Sequence, residues 1–449
     1  MESGAPSSHV VVLGAGLAGL SAADKLIAAG HGVTVLEASA AAGGAHRSHE
    51  IGSYTFDVGS IFYEDKAQLF ELAPGLKQKA PVVKRVQRRI GPAGGLLHYP
   101  VEPREIMAWP IARRMCAIAD MLGARIGQRR DGTLRAICLQ RLGCTLFAGT
   151  GLENYIDRFH HIGADQLDEE FFFSRMGFID KATRPRAMLH ATLRALQRKP
   201  YRVGPPSTLR VRPSEGFAPM FGQIVSDLQA RGIAFRFSSP LTKIVPEAGG
   251  FLLHTEQGDV VRAGRVVSTI PLDRLYRAVF GASSGLQSLD LMTLFVSARQ
   301  LHENAGNVLF NFHAQGRWKR ITVYSRLYPD RRGDREFFSV EITLPPCAVP
   351  DPEAGFADLQ AHLDSLGIAS DLRLEGHEIV DCAYPLYFPG YQDTLSVRLA
   401  EVRQFGITTV GRQGRLEYLP TSSGVIRRVH EELVHADLTP ATPHPRSRP

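Results

Sequence analysis

Residues 9–37 read HVVVLGAGLAGLSAADKLIAAGHGVTVLE, and this run decides the fold. Val10, Val11, Val12 and Leu13 form the unbroken apolar stretch of a buried parallel strand. Gly14, Gly16 and Gly19 follow at once in GxGxxG spacing, with Ala15, Leu17 and Ala18 between them. Gly14 permits a tight turn, Gly16 lets a pyrophosphate approach the backbone, and Gly19 lets a helix lie close on the strand. The anion then rests on the helix N-terminus. Leu17, Leu20 and Ile27 keep a helical apolar face, Gly30 to Gly32 closes the helix, and Val33 to Leu36 makes a second strand ending in Glu37, where a ribose hydroxyl would be held. Strand, glycine turn, helix, strand and terminal acid together predict an α/β fold with a dinucleotide on a parallel sheet. A glycine-rich turn in an ordinary α/β protein leaves Glu37 and the register of the three glycines unexplained.

Beyond Glu37 and Ala38 come Gly43-Gly44, Ala45, Arg47 and then Tyr54-Thr55-Phe56-Asp57-Val58-Gly59-Ser60. On these residues the chain resembles the FAD-dependent amine oxidase superfamily, which includes protoporphyrinogen oxidases, phytoene desaturases and, more distantly, UDP-galactopyranose mutases. The resemblance implies FAD, with Gly43, Gly44 and Ala45 along its diphosphate and Gly59 and Ser60 in a turn near the flavin. Two departures stand out. Ala41, Ala42 and Ala45 occupy positions where arginines flank the Gly-Gly pair, and Ile61 replaces the histidine of the flavin turn, which removes a polar group there.

The same resemblance recurs at the other end of the chain. Ala383-Tyr384-Pro385-Leu386-Tyr387, Gly390-Tyr391 and Gly406-Ile407-Thr408-Thr409-Val410-Gly411-Arg412 through Tyr418 are similar to the closing motifs of the superfamily. Ile407 to Val410 would be the last parallel strand, Gly411 its turn, and Arg412 a cation for the diphosphate. Thr421 to Ile426 stands where the superfamily has an acid-rich helix start; Ser423 and Val425 are placed under the flavin, where amides of a helix N-terminus would stabilise charge on the reduced ring. By resemblance Leu241 touches the adenine end through its backbone. Tyr384, Tyr387 and Tyr418 are candidates for lining the flavin face, set against ordinary buried tyrosines with satisfied hydroxyls.

The rest of the chain is organised around these blocks. A Rossmann-like FAD-binding domain is expected from residues 1–100, 207–285 and 376–435, an α+β substrate domain from 101–206 and 286–375, and a disordered tail from 436–449. Val82 to Leu97 reads as a hairpin and 101–206 as a helical insertion. Lys181 to Arg212 holds many Lys and Arg and no acid, with Leu189, Leu193 and Leu196 at helical spacing, which reads first as a solvated face over a packed stripe. Leu291–Gln300, Asn307–Phe312, Arg320–Ser325 and Glu336–Thr343 alternate as antiparallel strands, and Pro352–Leu366 reads as a helix. Monoamine oxidases carry a lysine on a strand of this region. Here Lys319 sits beside Trp318 in a stretch that reads as a turn, so a surface lysine is expected and no catalytic lysine is assigned.

Bulk composition sets outer bounds. A chain of 449 residues with 44% apolar content buries large cores, and its net charge of +7 favours anionic partners. No nucleic-acid motif is visible, so nucleic acid is not expected as a partner. The five cysteines lack CxxC spacing, which predicts a reducing compartment and no metal. Met1 to Ser8 shows no secretory signal and no apolar run is long enough to span a bilayer, so a cytoplasmic location is expected, with only peripheral membrane contact open. These features predict a non-covalent FAD enzyme that oxidises a small molecule by hydride transfer. The alternative is a non-redox sugar-nucleotide mutase using reduced flavin, and a third reading is a flavin-bound protein with a structural role.

Overall fold

The computed structural model describes residues 9–196, 208–331 and 333–439. Its centre is strand β1 (His9–Leu13), followed by helix α1 (Leu17–Ala28) and strand β2 (Gly32–Leu36). A five-stranded sheet runs Ala234–Arg236, β2, β1, Arg265–Ser268, Ile407–Thr409, and every pairing in it is parallel. Val12 faces Val35 on one side and Val267 on the other. Successive side chains leave the strand on opposite faces, and the apolar run therefore feeds two cores at once. Val10 and Val12 join Leu20 and Leu26 of α1, whereas Val11 and Leu13 join Ile244, Leu253 and Val261 of a three-stranded antiparallel sheet. That is why β1 tolerates no polar residue between His9 and Gly14.

The second large sheet has seven strands, in the order Ala369–Pro385, Ser288–Leu301, Glu336–Leu344, Arg320–Val323, Val308–Asn311, Gln87–Ile90, Leu96–His98. Its pairings are antiparallel except for Val308–Asn311 against Gln87–Ile90. The four alternating runs expected from the sequence all lie here, and the helix expected after them is Pro352–Ser365, capped by Asp351, whose carboxylate accepts from Ala354 N at 2.9 Å. Between Pro103 and Leu196 the described chain is helical, as its composition suggested.

Three expectations need correction. The seven-stranded sheet takes Gln87–Ile90 and Leu96–His98 from before residue 100, and the strand Ala369–Pro385 runs straight through residue 376. Strand composition does not say which sheet a strand joins, so the sheets do not divide where the sequence suggested. The disordered tail assigned from 436 includes packed residues: Leu438 is buried, its amide donates to Leu433 O at 3.0 Å, and its carbonyl bonds His31 Nε2 at 2.8 Å. Leu193 of the basic helix Pro185–Leu196 is exposed, not packed. Arg198, Lys199, the octapeptide 1–8 and residues 440–449 lie outside the described residues.

One buried ion pair ties the end of the strand Tyr54–Asp57 to the chain's return from the helical insertion. Arg212 Nε donates to both carboxylate oxygens of Asp57 at 2.9 and 2.8 Å, and its other nitrogens reach Thr55 O, Pro213 O and Ser214 O. Neither side chain is more than 1% exposed. Tyr324 OH donates to Asp57 O at 3.0 Å and Tyr328 OH to Arg212 O at 2.8 Å, so the seven-stranded sheet is stitched to the same point. Arg212→Met would leave the Asp57 carboxylate buried without its cation, a loss of about 3–5 kcal/mol. Urea unfolding is expected to show a correspondingly lower midpoint, with partial recovery in Arg212→Lys, which keeps the charge but not the planar fork. An unchanged midpoint in Arg212→Met would refute this role.

Candidate active site

The carboxyl ends of the parallel strands open into one cavity of about 1470 Å³. On its parallel-sheet side β1 stops at Leu13, and Gly14 turns with φ +96 while its amide donates to Leu36 O at 2.7 Å. A Cβ on Gly19 would lie 1.8 Å from Gly14 O, and one on Gly14 2.6 Å from Thr269 Oγ1. Only hydrogen fits at either place. No side chain caps α1, which leaves its first-turn amides to an anion.

Glu37 ends β2 beside this turn. Its carboxylate accepts from Ala15 N at 2.6 Å and from Ser39 N at 2.8 Å, which fixes its orientation. Gly43 N donates to Ala15 O at 3.0 Å, and a Cβ on Gly16 would meet Gly44 Cα at 3.7 Å. The glycine turn, the acid and the Gly-Gly segment thus form one backbone-walled cradle, whose donors and shape fit a dinucleotide diphosphate and ribose.

Of the residues singled out in the sequence, Gly14, Gly16, Leu17, Ala18, Glu37, Ala38, Gly43, Gly44, Ala45, Gly59, Ser60, Arg412, Val425, Tyr384 and Tyr418 all line the cavity. Ala15 and Gly19 stand behind the lining as supports for the turn, and so does Gly411, where a Cβ would meet Ala18 Cβ at 2.5 Å. Ser423 is turned aside: its hydroxyl accepts from Gln68 N at 3.3 Å, and the neighbouring Thr421 and Ser422 line the cavity at the start of helix Ser422–His435. Tyr387 is buried behind the wall, its hydroxyl accepting from Tyr418 N at 3.1 Å. Leu241 is not in the lining; it starts a strand of the three-stranded sheet and packs beside Val11 and Leu13.

The cation absent from the Gly-Gly flanks comes from two residues further on. Arg47 lines the cavity, donates through Nε to Gly44 O at 2.8 Å and pairs with Glu378 at 2.9 Å. Beside it the half-buried His46 lies among Phe217, Phe221 and Tyr63, and desolvation lowers its pKa to about 4, so it is neutral. Ile61, by contrast, is fully buried and is not in the cavity lining.

Lys319 is the largest departure from expectation. It is 3% exposed, not a surface residue, and it lines the cavity. Its ammonium pairs with Glu341 at 2.9 Å, donates to Tyr384 OH at 2.8 Å and lies over the Phe159 ring at 4.7 Å. The same carboxylate accepts from Arg320 Nε at 3.0 Å. Burial opposes ionisation of Glu341, but Arg320 and Lys319 outweigh it and hold the carboxyl down at about 2. Tyr384 in turn stacks on Arg412, whose guanidinium lies 5.1 Å from the Tyr384 ring and 5.1 Å from that of Tyr418. A continuous line of contacts, Lys319, Tyr384, Arg412 and Tyr418, therefore joins the seven-stranded sheet to the end of the parallel sheet. Sequence reasoning missed Lys319 because alternation breaks just before the strand Arg320–Val323; the signal was Glu341, an acid in the middle of a largely apolar strand, which needs a buried cation.

Past Tyr384 the cavity continues as a largely apolar lobe lined by Tyr99, Phe310, Phe312, Tyr155 and residues of the helix Ile111–Gly127. Among the described residues no group of His, Cys, Asp and Glu is arranged to hold a metal, and no helix is long and apolar enough to cross a membrane.

Comparison with known proteins matches this arrangement. The model of the family described as flavin containing amine oxidoreductase matches residues 17–332, more than half of the chain. An L-amino-acid oxidase of Vipera ammodytes ammodytes is 38% identical over 115 residues, which cover 22% of this chain and 24% of that protein. The chain thus spans about a quarter of the length of the curated relatives it matches. Among solved structures, reduced UDP-galactopyranose mutase superposes with a TM-score of 0.78 at 16% identity over 96% of both chains. A protein of Exiguobacterium sp. 255-15 provisionally assigned as a protoporphyrinogen oxidase superposes with a TM-score of 0.73 at 18% identity, over 98% of this chain and 99% of that one. At those identities the two structures speak for the fold alone. With the family model matched over residues 17–332, from the first helix into the second sheet, and with a cradle that fits the cofactor, the chain belongs to the flavin containing amine oxidoreductase family and its cofactor is FAD.

Proposed function

We propose that the chain is an FAD-dependent oxidoreductase that removes hydride from a C–H or C–N centre of a small molecule. The observation that carries this reading is the single cavity, which runs from the glycine turn and Glu37 to the Lys319–Tyr384 pair and on into the apolar lobe. When bound, FAD supplies the two-electron acceptor. The Rossmann-like part, built around β1, would hold it through Gly14 to Gly19, Glu37, Ala38, Gly43 to Ala45, Gly59, Ser60, Arg412 and Val425, without a covalent bond. The seven-stranded sheet and the helices from Pro103 onward would form the substrate domain. Arg47 and Arg412 offset negative charge along the cofactor, the start of helix Ser422–His435 faces the cavity as a positive dipole end, and apolar walls exclude water. Lys319 donates to Tyr384 Oη at 2.8 Å, and the ion pair with Glu341 holds its ammonium in place. A cytoplasmic location fits the free cysteines.

The purified protein is expected to show flavin absorption that bleaches anaerobically with substrate, and to release all colour on acid precipitation. Lys319→Met is expected to keep its flavin and to slow substrate bleaching about 100-fold, within the span of proton-transfer contributions. Unchanged bleaching in that variant would remove Lys319 from the reaction. Turnover that begins only after dithionite reduction would replace this reading by the mutase one, and bound flavin with neither behaviour would leave a structural role.

A further inference from the structure

The cavity holds more than a dinucleotide. At about 1470 Å³ it exceeds the roughly 300–1,000 Å³ of an ordinary small-molecule site. Its second lobe is sorted by chemistry into two ends. The wall away from the parallel sheet is largely apolar: Ile106, Met107, Met121, Leu142, Leu146 and Met176 line it beside Arg114, and unbranched methionines adapt to a flexible guest. The floor on the seven-stranded sheet is cationic. Arg85, Lys319 and Arg320 line it with only Glu341 to balance them, and the two carboxylates of the whole cavity lining, Glu37 and Asp381, belong elsewhere. Glu37 serves the glycine turn and Asp381 pairs with Arg274.

Arg85 is the odd member of this floor. Its guanidinium lies 5.7 Å over the Phe62 ring and has no carboxylate partner among the described residues. Desolvation acts against its charge, Tyr99 partly offsets this, and the nearby Arg320 adds to it. Arg85 is exposed and lines the cavity with no acid beside it on this floor, so it is free to meet an anion that arrives with the ligand.

The mouth of the lobe carries the same message. Ile111, Met115 and Ile118 line the cavity and are also 70%, 60% and 49% exposed, and Leu122 and Ile126 continue the same helical stripe outward. An apolar ramp thus leads from solvent to a floor with surplus positive charge.

Resting on the reading of the site given above, we propose that the second lobe takes a long-chain monocarboxylic acid, its hydrocarbon body along the helix Ile111–Gly127 and its carboxylate at Arg85 and Arg320. The test is equilibrium dialysis of the flavin-loaded protein with radiolabelled palmitate below its critical micelle concentration, beside hexadecanol and butyrate. Palmitate is expected to bind at least 10-fold more tightly than either, because head and body each contribute. Arg85→Met is expected to bring palmitate down to the hexadecanol level without changing hexadecanol, and Met121→Asp to weaken palmitate and hexadecanol alike. Equal binding of acid and alcohol, an unaltered ratio in Arg85→Met, or no palmitate binding would overturn the proposal. Flavin absorbance of the same samples reports the cofactor reading separately, so loss of one is distinguishable from loss of the other.

Discussion

Glu341→Gln is expected to lower the stability of the folded chain by about 3 kcal/mol at pH 7, among the larger effects available to one atom's replacement. Glu341 is 1% exposed and neutralises two cations, Lys319 at 2.9 Å and Arg320 at 3.0 Å. Removing its charge leaves both in low dielectric, where neither has another carboxylate among the described residues. The pH dependence gives an internal check. The carboxyl sits at about 2 in the folded chain against an ordinary 4.5, so its contribution is fully present above pH 4.5 and is lost as pH falls toward 2. Denaturant melts of wild type and variant between pH 7 and pH 3 should show a gap that is constant down to pH 4.5 and then narrows. A gap that widens on acidification would mean that the carboxyl is protonated in the native state. Glu341→Gln should also disturb Lys319 and hence Tyr384, so substrate bleaching is expected to fall together with stability, whereas Lys319→Met separates the two.

What the sequence could and could not disclose follows from how each signal is encoded. The glycine turn was legible because every constraint in it is local: Gly14, Gly16 and Gly19 answer to backbone approach within a few residues, and Glu37 bonds Ala15 N across the next strand. The parallel strand Ile407–Thr409 and the antiparallel runs were legible by their alternation and flanking turns. Partners far apart in the chain were not legible. Lys319 and Glu341 look unremarkable alone and acquire meaning only through the pairing of strands Arg320–Val323 and Glu336–Leu344, which sets Arg320 opposite Glu341. Asp57 and Arg212 are separated by 155 positions and show nothing of their pairing in composition. The apolar stripe of Ile111–Gly127 has ordinary amphipathic spacing, and only the structure reveals that the stripe faces the cavity mouth and solvent rather than a core.

Gly19→Ala is expected to strip the protein of FAD with little change elsewhere. One methyl group would stand 1.8 Å from Gly14 O, and the obstacle is backbone, which has no rotamer to relieve it. Either α1 moves off the strand or the turn at Gly14 opens. Opening the turn is resisted by Gly14 N, bonded to Leu36 O at 2.7 Å, and by Thr269, whose hydroxyl donates to Leu13 O at 2.7 Å. Helix α1 is held less firmly at its start, because no side chain caps it, so the displacement falls on the first-turn amides that would meet the diphosphate. Overpacking of this kind costs about 1–3 kcal/mol. If that cost falls mainly on the bound state, FAD affinity drops by roughly 10- to 100-fold. Flavin content after purification and titration of the apoprotein with FAD measure this directly, and denaturant melts of the apoproteins measure the share borne by the fold. Full flavin content in Gly19→Ala would show that the turn relaxes without cost and that the cradle does not depend on this close approach. Ala15→Gly, which removes a methyl from the same turn and leaves the Ala15 N to Glu37 bond available, is expected to retain the cofactor; its loss there as well would trace the effect to backbone freedom instead of contact.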